Sequence, residues 1–184
     1  MKTDTTSRIT LILGGARSGK SSYAQNLAEA SGKPVTFLAT AQALDEEMRQ
    51  RIQKHRLERP ANWETLEIDC DIAAHVSSIK SEVVILDCIT LLVSNLLMQF
   101  VKANVVDEEP YRQAVQKEIE ELMTNVREKD QEWFLISNEV GLGLVPPYPM
   151  GRVYRDALGW ANQRLAREAD KVIFMVAGIP TTIK

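Results

Sequence analysis

An α/β fold, a mostly parallel sheet flanked by helices, is what this sequence predicts. Short β-branched runs alternate along it with longer segments of helical period, and the runs are nearly continuously apolar. Continuous apolar runs fit strands buried on both faces, as in a parallel sheet whose right-handed crossovers place helices on either side. With 184 residues, 45% of them apolar, the chain suits one domain over residues 1–184 with a full core.

The strands are expected at residues 8–13, 35–39, 83–87, 133–137 and 171–177, and the helices at 21–31, 43–57, 89–102, 109–129 and 151–169. In the 109–129 segment Val115, Ile119, Leu122 and Val126 recur at helical spacing, with Glu and Lys on the other face. Residues 83–101 are apolar enough to suggest a membrane span, but Asp87, Thr90, Ser94, Asn95 and Gln99 interrupt them. Burying the Asp87 charge in a bilayer would cost about 2.5 kcal/mol or more, so a buried strand followed by a core helix is the reading. Pro60 breaks helix in residues 59–63. Residues 141–151 carry Gly141, Gly143, Pro146, Pro147, Pro149 and Gly151, too many breakers for regular structure. A loop this long is more often functional than decorative.

Charge and cysteine usage narrow the class. A net charge of −3 argues against a chain whose main partner is nucleic acid. Two cysteines, Cys70 and Cys88, are too few for a disulfide scaffold or a four-cysteine zinc site. The polar start, residues 1–7, reads as no secretory signal, and a cytoplasmic location is expected.

Gly14-Gly15-Ala16-Arg17-Ser18-Gly19-Lys20-Ser21 matches G-x-x-x-x-G-K-[ST] in full, between an apolar run and a helical pattern. Glycines let the backbone curl until its N–H groups point at phosphates, and the following helix offers its positive end. Lys20 is expected to reach the β/γ-phosphates and the Ser21 hydroxyl to ligate Mg²⁺. Asp87, ending the run Val83-Val84-Ile85-Leu86, is the acid expected to hold Mg²⁺ with it. The fold is therefore expected to be P-loop NTPase-like. Neither an N/T-K-x-D guanine motif nor the H-R-D and D-F-G set of protein kinases occurs. That leaves P-loop kinases and transferases of small molecules.

Of two histidines, His75 has no catalytic company and reads as structural or surface. His55 lies amid Arg49, Arg51, Lys54, Arg56 and Arg59. By itself such a cluster is most often a solvated helix face. Beside a phosphate loop, cationic surroundings would attract a triphosphate and keep the imidazole neutral. Neutral imidazole can attack an α-phosphorus, expelling pyrophosphate and forming a phosphoramidate.

Taken together, the phosphate loop, Ala39-Thr40-Ala41, Arg51-Ile52, His55, Arg59-Pro60, Trp63, Thr65, Glu67 and Asp87-Cys88-Ile89-Thr90 resemble the bifunctional adenosylcobinamide kinase/adenosylcobinamide-phosphate guanylyltransferase family. Asn138-Glu139-Val140-Gly141, Gly143, Val145-Pro146, Arg152, Arg155-Asp156, Gly159 and Asn162-Gln163-Arg164 extend the likeness over nearly the whole chain. The resemblance implies two reactions. ATP or GTP phosphorylates the aminopropanol hydroxyl of adenosylcobinamide; GTP then guanylylates a histidine, which passes GMP to the phosphorylated corrinoid, giving adenosylcobinamide-GDP. Carried over by position, His55 accepts GMP. Gly14, Gly15, Ala16, Arg17, Ser18, Gly19, Lys20, Ser21, Ala39, Thr40, Ala41, Arg56, Leu57, Glu58, Arg59, Glu67 and Asp87 become nucleotide contacts. His55 and Lys20 are the catalytic pair, and the family implies a homotrimer. The 141–151 loop with Arg152 and Arg155 is a candidate for corrinoid contact or a subunit interface. Two other readings remain open: a P-loop kinase of another small alcohol, and a nucleotide-switched binding module.

Overall fold

The computed structural model describes residues 8–43, 45–57, 59–103 and 105–184. Glu58 lies outside the described residues, as does the Arg51 side chain. Nine strands and six helices follow one another among the described residues: β1 Ile9–Gly14, α1 Lys20–Ala30, β2 Val35–Ala39, α2 Glu46–Leu57, β3 Glu64–Glu67, α3 Ile72–Val76, β4 Val83–Asp87, α4 Ile89–Gln99, β5 Val101–Lys102, β6 Val105–Val106, α5 Glu108–Arg127, β7 Glu132–Ile136, α6 Pro149–Glu168, β8 Lys171–Val176 and β9 Ile179–Thr182. The main sheet has the order β3-β2-β4-β7-β1-β8-β9, and every pairing in it is parallel except β8 with β9.

The continuous apolar runs have the expected cause. In β7, Trp133 and Leu135 point into one core and Phe134 and Ile136 into the other; β4 divides Val84 and Leu86 from Val83 and Ile85 the same way. The larger core lies beneath α3, α4, α5 and α6, with Tyr111, Val115, Ile119, Leu122 and Val126 of α5 all buried. The smaller one is closed by Ala24 and Ala28 of α1. The α2 helix has no buried residue among those described.

Five strands stand within one residue of expectation. Elsewhere the structure corrects the sequence reading. The helix expected over 43–57 starts at Glu46, and that expected over 89–102 stops at Gln99, because residues 101–102 pair with 105–106 in a short hairpin. The loop expected over 141–151 ends earlier, since Pro149 opens α6; proline suits a first helical turn, whose N–H has no partner in any case. A Cβ on Gly151 would lie 2.5 Å from the Tyr148 ring and 2.8 Å from Pro146, so the loop packs directly on that turn. Strand β9 and helix α3 stand outside the expected elements. No helix among the described residues is long and apolar enough to cross a membrane; residues 83–101 divide into β4 and α4 instead.

Candidate active site

The phosphate loop leaves the centre of the sheet. Gly14 closes β1 at φ 149°, where an added Cβ would meet the Met175 carbonyl oxygen at 2.5 Å and Ser18 Oγ at 2.7 Å. Gly19 turns into α1 at φ 92°. Within the loop, Ser18 N–H donates to the Gly15 carbonyl and Gly178 N–H donates to that of Ser18 at 3.0 Å, so the β8–β9 turn braces it. The N–H groups of Ala16, Arg17 and Gly19 donate to no protein acceptor among the described residues. Unpaired amides around a helix N-terminus form an anion cradle.

Lys20, only 7% exposed, folds over this loop and donates from Nζ to the Gly15 carbonyl at 2.6 Å. Burial lowers its pKa, opposed by Cys88 and Asp87. At the end of β4, burial pushes the Asp87 carboxyl up, while the neighbouring Ser21 hydroxyl and the charges of His55, Arg59 and Lys20 pull it down. Thr40 ties the ends of β2 and β4 together: its hydroxyl donates to the Cys88 carbonyl at 2.8 Å and accepts from Cys88 N–H at 2.8 Å. Cys88 is itself pushed up to about 11, chiefly by burial and then by Asp87, so its thiol stays protonated at neutral pH.

A cleft of about 430 Å³ gathers these groups, lined by residues 16–22 from the loop and α1, Ala39, Ala41, Asp87 and, from the far wall, Met48, Ile52, His55 and Arg59. The α2 helix thus presents His55 to the phosphate loop. Arg59 lies flat on Phe37, its guanidinium carbon 3.6 Å from the ring centroid, and burial lowers its pKa. Of the other residues expected at the site, Gly14 and Thr40 are buried behind the cleft, while Gly15 is exposed and its carbonyl takes the Lys20 bond. Leu57 is 87% exposed. Arg56 and Glu67 form an exposed ion pair at 3.7 Å outside the cleft, and Glu67 borders a separate groove with Gln42 and Asp69. Phe37, Cys88, Leu91, Ile136 and Asn138 line the cleft without having been singled out as site residues. For Cys88 and Asn138 the signal is the family resemblance, which runs through both; Phe37 and Ile136 lie in the expected 35–39 and 133–137 strands, and Leu91 in the first turn of α4 carries none. Arg152 spends Nη1 on the Pro146 and Pro147 carbonyls at 3.1 and 3.0 Å, stapling its loop to α6.

For a cation, Asp87 and Ser21 offer a carboxylate and a hydroxyl in the same cleft, beside the phosphate cradle. No group of three or more His, Cys, Asp or Glu residues could hold a metal among the described residues. Two hard oxygen donors, completed by phosphate and water, fit Mg²⁺, which keeps much of its water shell.

The phosphate loop, its lysine and the strand-end acid on a mostly parallel sheet define a P-loop nucleotide-binding protein. Solved structures similar in fold include an ATPase of a type III secretion system (TM-score 0.51, 8% identity, 96% of this chain and 57% of that one). Another is a Pyrococcus horikoshii protein (TM-score 0.55, 10% identity, 96% and 86%). More specifically, residues 10–183 match the family model described as cobinamide kinase / cobinamide phosphate guanyltransferase, and the chain belongs to that family. Relatives named bifunctional adenosylcobalamin biosynthesis proteins include one from Pseudomonas aeruginosa, 43% identical over 95% of this chain and 96% of its own length. Those of Escherichia coli and Salmonella typhimurium are 40% and 39% identical, over 95% of this chain and 98% of theirs.

Proposed function

We propose that this chain phosphorylates adenosylcobinamide with ATP or GTP and then, through His55, transfers GMP from GTP to adenosylcobinamide phosphate. The observation that carries the reading is His55 on α2 facing the phosphate loop, Lys20 and Asp87 across one cleft. Its family membership supports the two activities, and its relatives' names support the pathway.

The family resemblance gives the nucleophile's role to His55, and its place on the cleft wall opposite the phosphate loop supports that role. In guanylylation an imidazole nitrogen bonds to the α-phosphorus while the bond to the bridging oxygen breaks. Pyrophosphate leaves, and the imidazole N–H proton is lost to water. A phosphate oxygen of the phosphorylated corrinoid then attacks the same phosphorus; the N–P bond breaks and His55 is restored. Lys20 and the loop N–H groups hold the phosphates and offset charge on the leaving group. Ser21 and Asp87 would hold Mg²⁺, which neutralises phosphate charge when bound. Arg56, Leu57, Glu58, Arg59 and Glu67 belong to this reading as nucleotide contacts on and beyond the end of α2. Its assembly as a homotrimer, its cytoplasmic location and the absence of a nucleic-acid partner belong to it as well.

The test is intact-protein mass after incubation with GTP and Mg²⁺, beside an ATP control and His55→Ala. An acid-labile gain of one GMP, seen with GTP alone and absent from the variant, is expected. No adduct with nucleotide bound would leave a plain P-loop kinase.

A further inference from the structure

Asn138 lies two residues beyond β7, lining the nucleotide cleft. Its backbone is held at both ends. Its N–H donates to Thr90 Oγ1 at 2.7 Å, and its carbonyl accepts from Nδ2 of Asn162 at 2.9 Å. Both partners are buried, and Tyr154, on α6 with Asn162, donates to the Thr90 carbonyl at 3.2 Å. Next along the chain, Glu139 N–H donates to the Gly14 carbonyl at 3.1 Å. Residue 138 is thereby fixed between the phosphate loop and the first turn of α4. Its carboxamide, in contrast, has no hydrogen-bond partner among the described residues. Lys20 is bonded to Gly15, and Thr90 to Asn138 itself. A backbone pinned this firmly under an unpaired amide, carrying both a donor and an acceptor, is preset for a ligand.

Its position indicates which part of the ligand. The β7 strand runs between β4 and β1, so its C-terminal end stands beside Asp87 and the mouth of the phosphate loop. Arg59, close after His55, lies over Phe37 of β2, on the other side of β4. Resting on the two-reaction reading above, we infer that Asn138 contacts the substrates of the phosphoryl-transfer step. Nδ2 donates to a γ-phosphoryl oxygen, and Oδ1 accepts from the acceptor hydroxyl. In that step the hydroxyl oxygen bonds to the γ-phosphorus as the bond to the β–γ bridging oxygen breaks. The nucleoside diphosphate leaves and the hydroxyl proton passes to water. The carboxamide moves no proton; it acts by orientation. Loading of GMP onto His55 involves no hydroxyl acceptor and calls on Asn138 through the γ-phosphoryl contact alone.

The experiment compares wild type, Asn138→Ala and Asn138→Asp for kcat and KM of adenosylcobinamide phosphorylation and, separately, for the single-turnover rate of GMP adduct formation from GTP. For Asn138→Ala, phosphorylation kcat should fall by about 10- to 100-fold, at least about fivefold more than the adduct rate, which loses the γ-phosphoryl contact alone. Its Tm should hold, because the lost amide bonds to no protein group. Asn138→Asp keeps the shape but loses the donor and adds charge beside the γ-phosphate, so its kcat should fall further. Equal losses in both reactions, or unchanged phosphorylation, would overturn the assignment. A wild type that phosphorylates but takes up no GMP would refute the two-reaction reading, while the kcat comparison would still decide the part played by Asn138.

Discussion

The two walls of the cleft are built differently. The phosphate-loop wall is set into the centre of the sheet: Gly14 is clasped by Met175, Ser18 by Gly178, and Lys20 is nearly buried. The α2 wall has no buried residue among those described, and exposed pairs such as Arg49 with Glu46 and Arg56 with Glu67 decorate it. Charge and stacking, the Arg59–Phe37 contact above all, join this wall to the sheet. Phosphate binding needs amides preset within tenths of an ångström, which a packed core supplies. A histidine that must reach an α-phosphate, and then yield its place to a bulky acceptor, suits an element with few packing constraints.

The contrast can be broken at several points. Lys20→Ala removes the cation of the rigid wall and should slow both reactions by about 10²- to 10³-fold, measured as kcat for phosphorylation and for guanylyl transfer. Full guanylylation in that variant would mean that the two chemistries do not share a phosphate cradle. Gly14→Ala forces a Cβ to 2.5 Å from a carbonyl oxygen at a positive φ, and should cost about 1–3 kcal/mol of stability in urea denaturation. A substitution of similar cost lies far from both walls. Glu118, 5% exposed, accepts from the N–H groups of Asp71 and Ile72 at 3.0 and 2.9 Å. Glu118→Ala should lose about 1–3 kcal/mol by leaving both donors unpaired, with kcat per folded molecule unchanged. Burial raises the Glu118 pKa against those two bonds. Its share of stability is therefore full below the unfolded carboxyl pKa and declines as pH rises through the folded value. The stability of Glu118→Gln relative to wild type should accordingly improve with rising pH over that window. The smallest effect belongs to the α2 wall: Arg56→Ala should shift stability by less than about 1 kcal/mol, since its ion pair is exposed, while raising the KM for GTP.

The parts legible in the sequence were those with a local cause. The central strands announced themselves because burial on both faces demands unbroken apolar residues, and the phosphate loop because few residue types can make its turn. Asp87 followed from its place at the end of such a strand. What stayed hidden depends on neighbours far along the chain. The β9 strand contains Pro180 and exists as the antiparallel partner of β8. A five-residue helix, α3, is begun by the carboxylate of Glu118, more than forty residues away. The resemblance makes Thr40 a nucleotide contact, and the structure adds that its hydroxyl joins β2 to β4 through Cys88. It makes Glu67 one as well, and the structure adds its exposed pairing with Arg56. Which face of α2 meets the sheet could not be read from a helix so polar all round. The structure turns Met48, Ile52 and His55 inward.

The central claim is that one cleft performs both transfers, with His55 needed for only one of them. Its most direct test is His55→Ala assayed side by side for phosphorylation of adenosylcobinamide and for formation of adenosylcobinamide-GDP from the phosphorylated corrinoid. Phosphorylation within about twofold of wild type and no detectable guanylyl transfer is the predicted result. Guanylyl transfer surviving in the variant, or both activities failing together in a protein that still folds and binds nucleotide, would contradict it.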